Sequence, residues 1–166
     1  MKILATILAF LQLLFPFATI GFKQENAYIT VFKALASALE FQNLEYLAVD
    51  LSGVELDDTT KLEKVIQAYC DEHEITLLPY DFDWLVEEGY IEVETRTDDG
   101  EPYEYWHFPD GMMLGFYVRE WGSRTVRSIG TRSMSNNASG TDYLYAVQRN
   151  LGVWIIIERY DLTWHD

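Results

Sequence analysis

The spacing of apolar residues changes at Gly89, and this change constrains the fold more than any other feature of the sequence. Before Gly89, apolar residues recur at helical spacing in residues 25–39 and in a segment that begins with the capping-box pattern Thr60-x-x-Glu63. After Gly89, apolar and polar residues alternate, which is typical of strands. Helices followed by antiparallel strands predict an α+β fold.

The pattern also predicts the individual elements. The first half contains one or two short strands, at residues 43–51 and 75–78, and a short helix that Asp81 caps and Gly89 ends. The second half predicts an antiparallel β-meander with strands at 90–97, 103–108, 112–121 and 125–133, then a hairpin of 141–149 and 153–160. No repeat or linker divides residues 22–166, so a single domain is predicted. Its last hairpin is similar to the final strands of cystatin-like and NTF2-like domains, by fold analogy only.

Residues 1–21 predict a secretory signal peptide. Lys2 provides a positive start, residues 3–15 are nearly all apolar, Pro16 ends this run, and Gly21 completes a small-residue cleavage pattern. The alternative is an uncleaved membrane anchor, because residues 3–22 just span a hydrocarbon core of ~30 Å. Both interpretations predict that residues 22–166 are secreted or extracytoplasmic and meet the membrane only through residues 1–21.

The single cysteine excludes a disulfide framework, a four-thiolate metal site and a C-x-x-C redox pair. Cys70 lies next to Asp71 and beside the apolar stripe of its helix, so it is expected to be a buried structural residue. His73 and its acidic neighbours point in different directions at a helix end, which does not suit a metal ion. Nucleophile motifs are missing. The sequence therefore predicts no catalytic residue, no metal and no cofactor.

Charge is segregated along the chain, whose net charge is −15. Residues 40–110 carry 21 acidic and 3 basic side chains, a net of −18, whereas residues 111–166 carry 5 and 6, a net of +1. Residues 85–91 resemble the exit of a winged-helix recognition helix. However, residues 80–104 contain Arg96 against ten carboxylates, and such a surface repels phosphates. Nucleic acid is therefore excluded as a partner.

Four arginines and a tryptophan gather in one short segment of the second half. Guanidinium groups suit carboxylates and phosphates, and an indole offers a stacking face. One hypothesis is a pocket for a small anionic ligand or an acidic chain end; the other is that these arginines pair with the acidic first half of the same domain. The candidate ligand-binding residues are Arg119, Trp121, Arg124, Arg127 and Arg132.

Several segments together resemble a family of small uncharacterised exported or lipoprotein-like proteins of Gram-positive bacteria. The resemblance covers nearly all of the chain after the signal and is carried by residues 46–52 (YLAVDLS), 68–72 (AYCDE), 85–91 (LVEEGYI), 108–111 (FPDG) and the Trp154 strand that ends near Trp164. It implies export and an α+β layout, and it brings no catalytic residues. This chain differs in lacking a lipobox cysteine and in having a longer, more aromatic hairpin at 92–108.

The resulting hypothesis is an exported, acidic α+β protein that acts as a non-catalytic binding or interaction module. Its partner would be an unknown protein or a small anionic ligand. The alternative is a small extracytoplasmic hydrolase whose titratable groups converge only in the fold. A third possibility is an interaction protein with an exposed aromatic face, made of Tyr103, Tyr105, Trp106, Phe108, Phe116 and Tyr117.

Overall fold

The computed structural model describes residues 25–38, 41, 43–119, 126–162 and 164–165. Helices come first in the chain and mostly antiparallel strands follow, as the change of period predicts. The helices are α1 (Glu25–Ser37), α2 (Thr60–Glu72) and α3 (Phe82–Glu87). The strands are β1 (Tyr46–Asp50), β2 (Thr76–Leu78), β3 (Glu92–Asp98), β4 (Glu101–His107), β5 (Gly111–Arg119), β6 (Val126–Met134), β7 (Ser139–Asn150), β8 (Val153–Asp161) and β9 (Trp164–His165).

The predicted signal peptide or anchor, residues 1–21, lies outside the described residues. Within the part of the chain that the structure does describe, no helix has both the length and the apolar character needed to cross a bilayer.

The main sheet has the order β2-β1-β5-β6-β7-β8, with β9 paired to β7 beyond the end of β8. Strand β1 runs parallel to both β2 and β5, whereas β5 through β9 pair antiparallel. The predicted single meander is therefore wrong at its start. Strands β3 and β4 form a separate two-stranded sheet, and β5 pairs with β1 instead of β4.

The reason for this difference is the burial of β1. Its neighbours Leu47 and Ala48 point to opposite faces and are both fully buried, so β1 needs covering on both faces and sits inside the sheet. Every residue of β3 is exposed, by contrast, and the β3–β4 hairpin meets a buried cluster through Trp106 near the end of β4.

Helices α1 and α2 cover one face of the main sheet. Their apolar stripes, which include Phe32, Leu35, Leu62 and Ile66, meet Leu114 and other buried residues of β5–β7. A smaller cluster lies on the opposite face, where α3 packs against the sheet beside β1. It consists of Ala48, Leu78, Leu85, Ile91, Phe108 and Met113. Beyond this small cluster the second face is not covered by a helix of the described residues, and we call it the open face.

The capping box predicted at Thr60 does not form, although α2 begins at that residue. The N-cap of α2 is Thr59, whose hydroxyl donates to Glu63, and the Asp58 carboxylate accepts from the Thr60 amide at 2.9 Å. The pattern thus marks where the helix begins, but Thr59 has helical backbone angles and its side chain caps no backbone amide.

Cys70 is completely buried beside Leu62 and Ile66, as predicted. Burial raises the pKa of its thiol to about 11, and the negative charge of Asp71 adds a smaller contribution in the same direction. A thiol this resistant to ionisation is a structural side chain and not a nucleophile.

Candidate functional site

Four residues that are direct partners across β1, β5, β6 and β7 form one row on the open face. Asp50 pairs with Gly115, Gly115 with Arg132, and Arg132 with Asp142. Directly paired residues point to the same side of a sheet, with strands ~4.8 Å apart. We call these four residues the polar row.

The arginine of the polar row is held by a two-point ion pair. Arg132 Nε donates to Asp142 Oδ1 at 2.9 Å, and Nη2 donates to Oδ2 at 2.8 Å. The Asp142 side chain is only 10% exposed, whereas that of Arg132 is 52% exposed. The hydrogen bond that Arg132 donates to Asp142 raises the pKa of Arg132 above its usual value. This pair consumes two of the five guanidinium N–H donors, so the group is oriented and still has donors facing solvent.

Gly115 opens a cleft between Asp50 and Arg132. A Cβ atom at this position would have no neighbour closer than the Cβ of Asp50, at 4.0 Å. The cleft has a volume of about 420 Å³, which lies in the range of small-molecule sites. Besides the polar row it is lined by Tyr80, Phe116, Tyr117, Met134 and Leu162.

The remaining polar groups of the cleft give it a mixed character. One oxygen of Asp50 accepts the Ser52 backbone amide at 2.8 Å. Burial raises the pKa of Tyr80, the charge of Asp50 raises it further, and Arg132 opposes this shift. Tyr80 is therefore a neutral phenol at physiological pH and lies in the field of both charged groups. The cleft presents an acceptor at Asp50, a donor at Arg132, and a hydroxyl that does both at Tyr80.

The described lining of the cleft contains few groups that could act as nucleophiles or bases. No Ser, Thr, Cys, Lys or His side chain is among the described residues that line the cleft, so Asp50, Asp142 and the tyrosines are its only titratable groups besides Arg132 in that set. Asp142 spends both oxygens on Arg132. Elsewhere among the residues described, no three His, Cys, Asp or Glu side chains are grouped so as to hold a metal ion.

Of the arginine segment identified in the sequence, the structure describes the side chains of Arg127 and Arg132, and these two do not lie together. Arg119 ends β5, and its side chain, like Trp121 and Arg124, lies outside what the structure describes. Arg127 and Arg132 are on the same strand but five residues apart, so they point to opposite faces. Arg127 lies 3.9 Å from Glu55 of the acidic first half, whereas Arg132 pairs with Asp142 of the second half.

Sequence reasoning therefore missed Asp50, Tyr80 and Asp142 as partners of Arg132. A signal for Asp142 was present, because aspartate is depleted inside strands and this one lies directly before an apolar, aromatic run at residues 143–147. Nothing in the sequence places Asp50 in the same cleft as Arg132, since this depends on β5 lying between their strands.

The proposed aromatic face is wrong as a single surface. Phe108 and Phe116 are buried, at 1% and 3% exposure. Tyr103, Tyr105 and Trp106 lie on the β4 strand of the hairpin, and Tyr117 lies on β5 of the main sheet.

No family model, no curated protein and no solved structure matches the chain. The candidate site consequently depends on the geometry of the cleft.

Proposed function

We propose that the protein is an exported, non-catalytic binding module that holds a small ligand in the cleft of the polar row. Export follows from the signal-like residues 1–21 and from the resemblance to small exported proteins of Gram-positive bacteria. The observation that carries the binding proposal is the two-point pair between Arg132 and Asp142, which aims a half-exposed guanidinium at a cleft of about 420 Å³.

The Arg132 donors select a carboxylate or a similar oxyanion. A guanidinium that is already oriented loses little side-chain entropy when an anion binds, and each charge-assisted hydrogen bond contributes about 1.5–3 kcal/mol. The Tyr80 and Tyr117 rings at the walls of the cleft add apolar contact area.

Asp50 requires a second feature in the ligand. With Arg132 neutralised by Asp142, the charge of Asp50 remains, so a simple anion would be repelled there. A ligand that also carries an ammonium or hydroxyl group would satisfy Asp50 while its oxyanion satisfies Arg132. The two binding groups lie two strand spacings apart, ~10 Å between their backbones. We therefore favour a small amphoteric ligand over inorganic anions.

The hydrolase alternative has less support, because Asp50 accepts the Ser52 amide and no hydrogen bond between Asp50 and Tyr80 is observed that would make them a nucleophile–base pair. The cystatin-like or NTF2-like analogy remains part of the proposal. It is supported by α1, which packs against β8 on one face of a largely antiparallel sheet and leaves a cleft on the other.

Titration with acetate and with glycylglycine, followed by calorimetry or chemical shifts, tests this function. Glycylglycine should bind more tightly than acetate, and Asp50→Asn should remove that difference. Arg132→Gln should weaken both ligands by about tenfold or more. The control, Arg127→Gln, removes a guanidinium from the same strand but from the other face, and it should leave binding unchanged.

A further variant separates loss of binding from loss of folding. A Cβ atom at Gly115 meets nothing closer than 4.0 Å, so Gly115→Val should fill the cleft and block binding in a folded protein. Equal binding by Arg132→Gln and the unchanged protein would refute the proposal, as would equal losses from Arg127→Gln and Arg132→Gln.

A further inference from the structure

Strand β8 forms one end of the main sheet in the described part of the chain, and its outer edge is apolar. Residues 150–157 contain no charged side chain. Four large apolar side chains in this stretch are exposed: Leu151 by 99%, Val153 by 61%, Ile155 by 40% and Ile157 by 50%. The face of β8 on which Trp154 lies is covered, because Trp154 is buried and α1 packs against this strand.

Such an edge is unusual for a protein that stays monomeric. Edge strands are normally protected by charges, prolines or bulges that prevent pairing with another chain. The exposed β3–β4 hairpin of this protein follows that rule, since Glu92, Glu94 and Glu104 lie along it. In β8 the register shift against Ala146 and Val147 leaves Ile157 as an extra residue, so the strand has one bulge near the end of its apolar run, and the first charge, Glu158, follows it.

We infer that β8 pairs antiparallel with the β8 strand of a second copy of this chain, about a two-fold axis near Ile155. In that register Ile155 faces its own counterpart, and Val153 faces Ile157 of the other copy. An interface of this kind is self-complementary, as a two-fold dimer requires. It would join two sheets into one and remove the exposed apolar edge from both copies.

The distribution of charge favours a second copy at this edge. Residues 40–110, with a net charge of −18, supply β1, β2 and the β3–β4 hairpin. Strands β2 and β1 lie at the opposite end of the sheet from β8. The strands from β5 onward come from residues 111–166, whose net charge is +1. Two copies of this acidic protein therefore meet with the least repulsion through β8.

Sedimentation analysis of the full chain over a concentration series tests the inference. The unchanged protein should reach twice the mass of one chain. Ile155→Lys should raise the dimer dissociation constant by about tenfold or more, because it places a charge at the centre of the pairing. The matched control is Val93→Lys, which adds the same charge at a side chain of similar exposure (44%) on the separate hairpin. It should leave the dimer intact.

Crosslinking tests the register. Cys70 is buried, so Ile155→Cys introduces one accessible thiol per chain. Mild oxidation should convert this variant to a covalent dimer, whereas Val93→Cys should stay monomeric on a denaturing gel. A protein that is monomeric at all concentrations overturns the inference. Association that Ile155→Lys leaves unchanged also overturns the inference, because the contact would then lie elsewhere. An Ile155→Cys variant that fails to crosslink overturns it as well.

Discussion

The carboxylate of Glu25 accepts a hydrogen bond from the backbone amide of Leu62 at 3.2 Å, so the first turn of α1 caps the first turn of α2. Glu25 is only 6% exposed, and Lys61 contacts Asn26 beside it. A carboxylate at a helix N-terminus satisfies an unpaired amide and interacts favourably with the helix dipole. This contact fixes the position of α2 against α1, and hence the helical layer over the sheet.

Glu25→Ala should lower the free energy of unfolding by about 1–2 kcal/mol, because the Leu62 amide loses its acceptor in a buried place. Urea unfolding followed by circular dichroism measures this. The control, Glu63→Gln, changes an exposed carboxylate in the same turn of α2 and should cost less than about 0.5 kcal/mol. Equal losses in the two variants would contradict a capping role for Glu25.

Gly130 and Gly115 occupy the same face of the sheet but should respond oppositely to alanine. A Cβ atom at Gly130 would lie 2.1 Å from the Tyr117 ring, so Gly130→Ala must displace that ring, at a cost of about 1–3 kcal/mol. Gly115→Ala meets nothing closer than 4.0 Å and should be neutral or stabilising by up to about 1 kcal/mol. Melting temperatures of the two variants check this. A more stable Gly130→Ala would mean that Tyr117 moves freely.

Arg132 and Arg127 should differ in their contribution to stability. Arg132→Ala leaves the buried Asp142 without its partner and should cost about 1–3 kcal/mol. Arg127 and Glu55 are both well exposed and 3.9 Å apart, so Arg127→Ala should change the free energy of unfolding by less than about 0.5 kcal/mol. Denaturant unfolding at low and high salt measures both. A large, salt-sensitive loss in Arg127→Ala would show that pairing with the acidic half stabilises the fold.

Stability should fall as the pH rises from about 9 to about 11. Burial raises the pKa of Cys70 from 9.0 to about 11, so in this window the unfolded chain releases the thiol proton and the folded chain retains it. The free energy of unfolding therefore decreases with pH. Cys70→Ala should reduce the slope of the free energy of unfolding against pH. Part of the slope should remain, because the pKa values of Tyr28 and Tyr69 are also raised in the folded protein. An unchanged slope in Cys70→Ala, measured by urea unfolding, would argue against a buried thiol.

Asn137 should control the local stability of the β3–β4 hairpin. Its side chain accepts the Trp106 amide at 3.1 Å and donates to the Glu104 carbonyl at 2.8 Å, which ties β4 to the loop after β6. Asn137→Ala should lower hydrogen-exchange protection in β3 and β4 while the main sheet keeps its protection. Thr95→Ala, on the same hairpin but away from this anchor, is the control. Loss of protection throughout the main sheet would show that the hairpin is not a separate unit.

The sequence by itself determined the kinds of element and many of their boundaries. The helical spacing of Phe32 and Leu35 and the alternation after Gly89 are local properties, because burial on one face imposes a period of 3.6 or 2 on the residues. The burial of Cys70 was also readable, since its apolar neighbours Leu62 and Ile66 lie on the same helix face. Strand partners are not local, and for that reason the pairing of β5 with β1 in place of β4 was not predicted.

The candidate site was decided by the tertiary structure alone. Arg132 was identified as a candidate by its residue type, yet the direction of its side chain depends on strand register. If the register of β6 were shifted by one residue, Arg132 would point into the core. Asp50 and Asp142 are 92 positions apart and meet the same cleft because β5 and β6 lie between their strands. Local patterns encode which residues are buried, whereas the order and register of the strands arise from the burial of the whole chain at once. Strand order and register bring the polar row together.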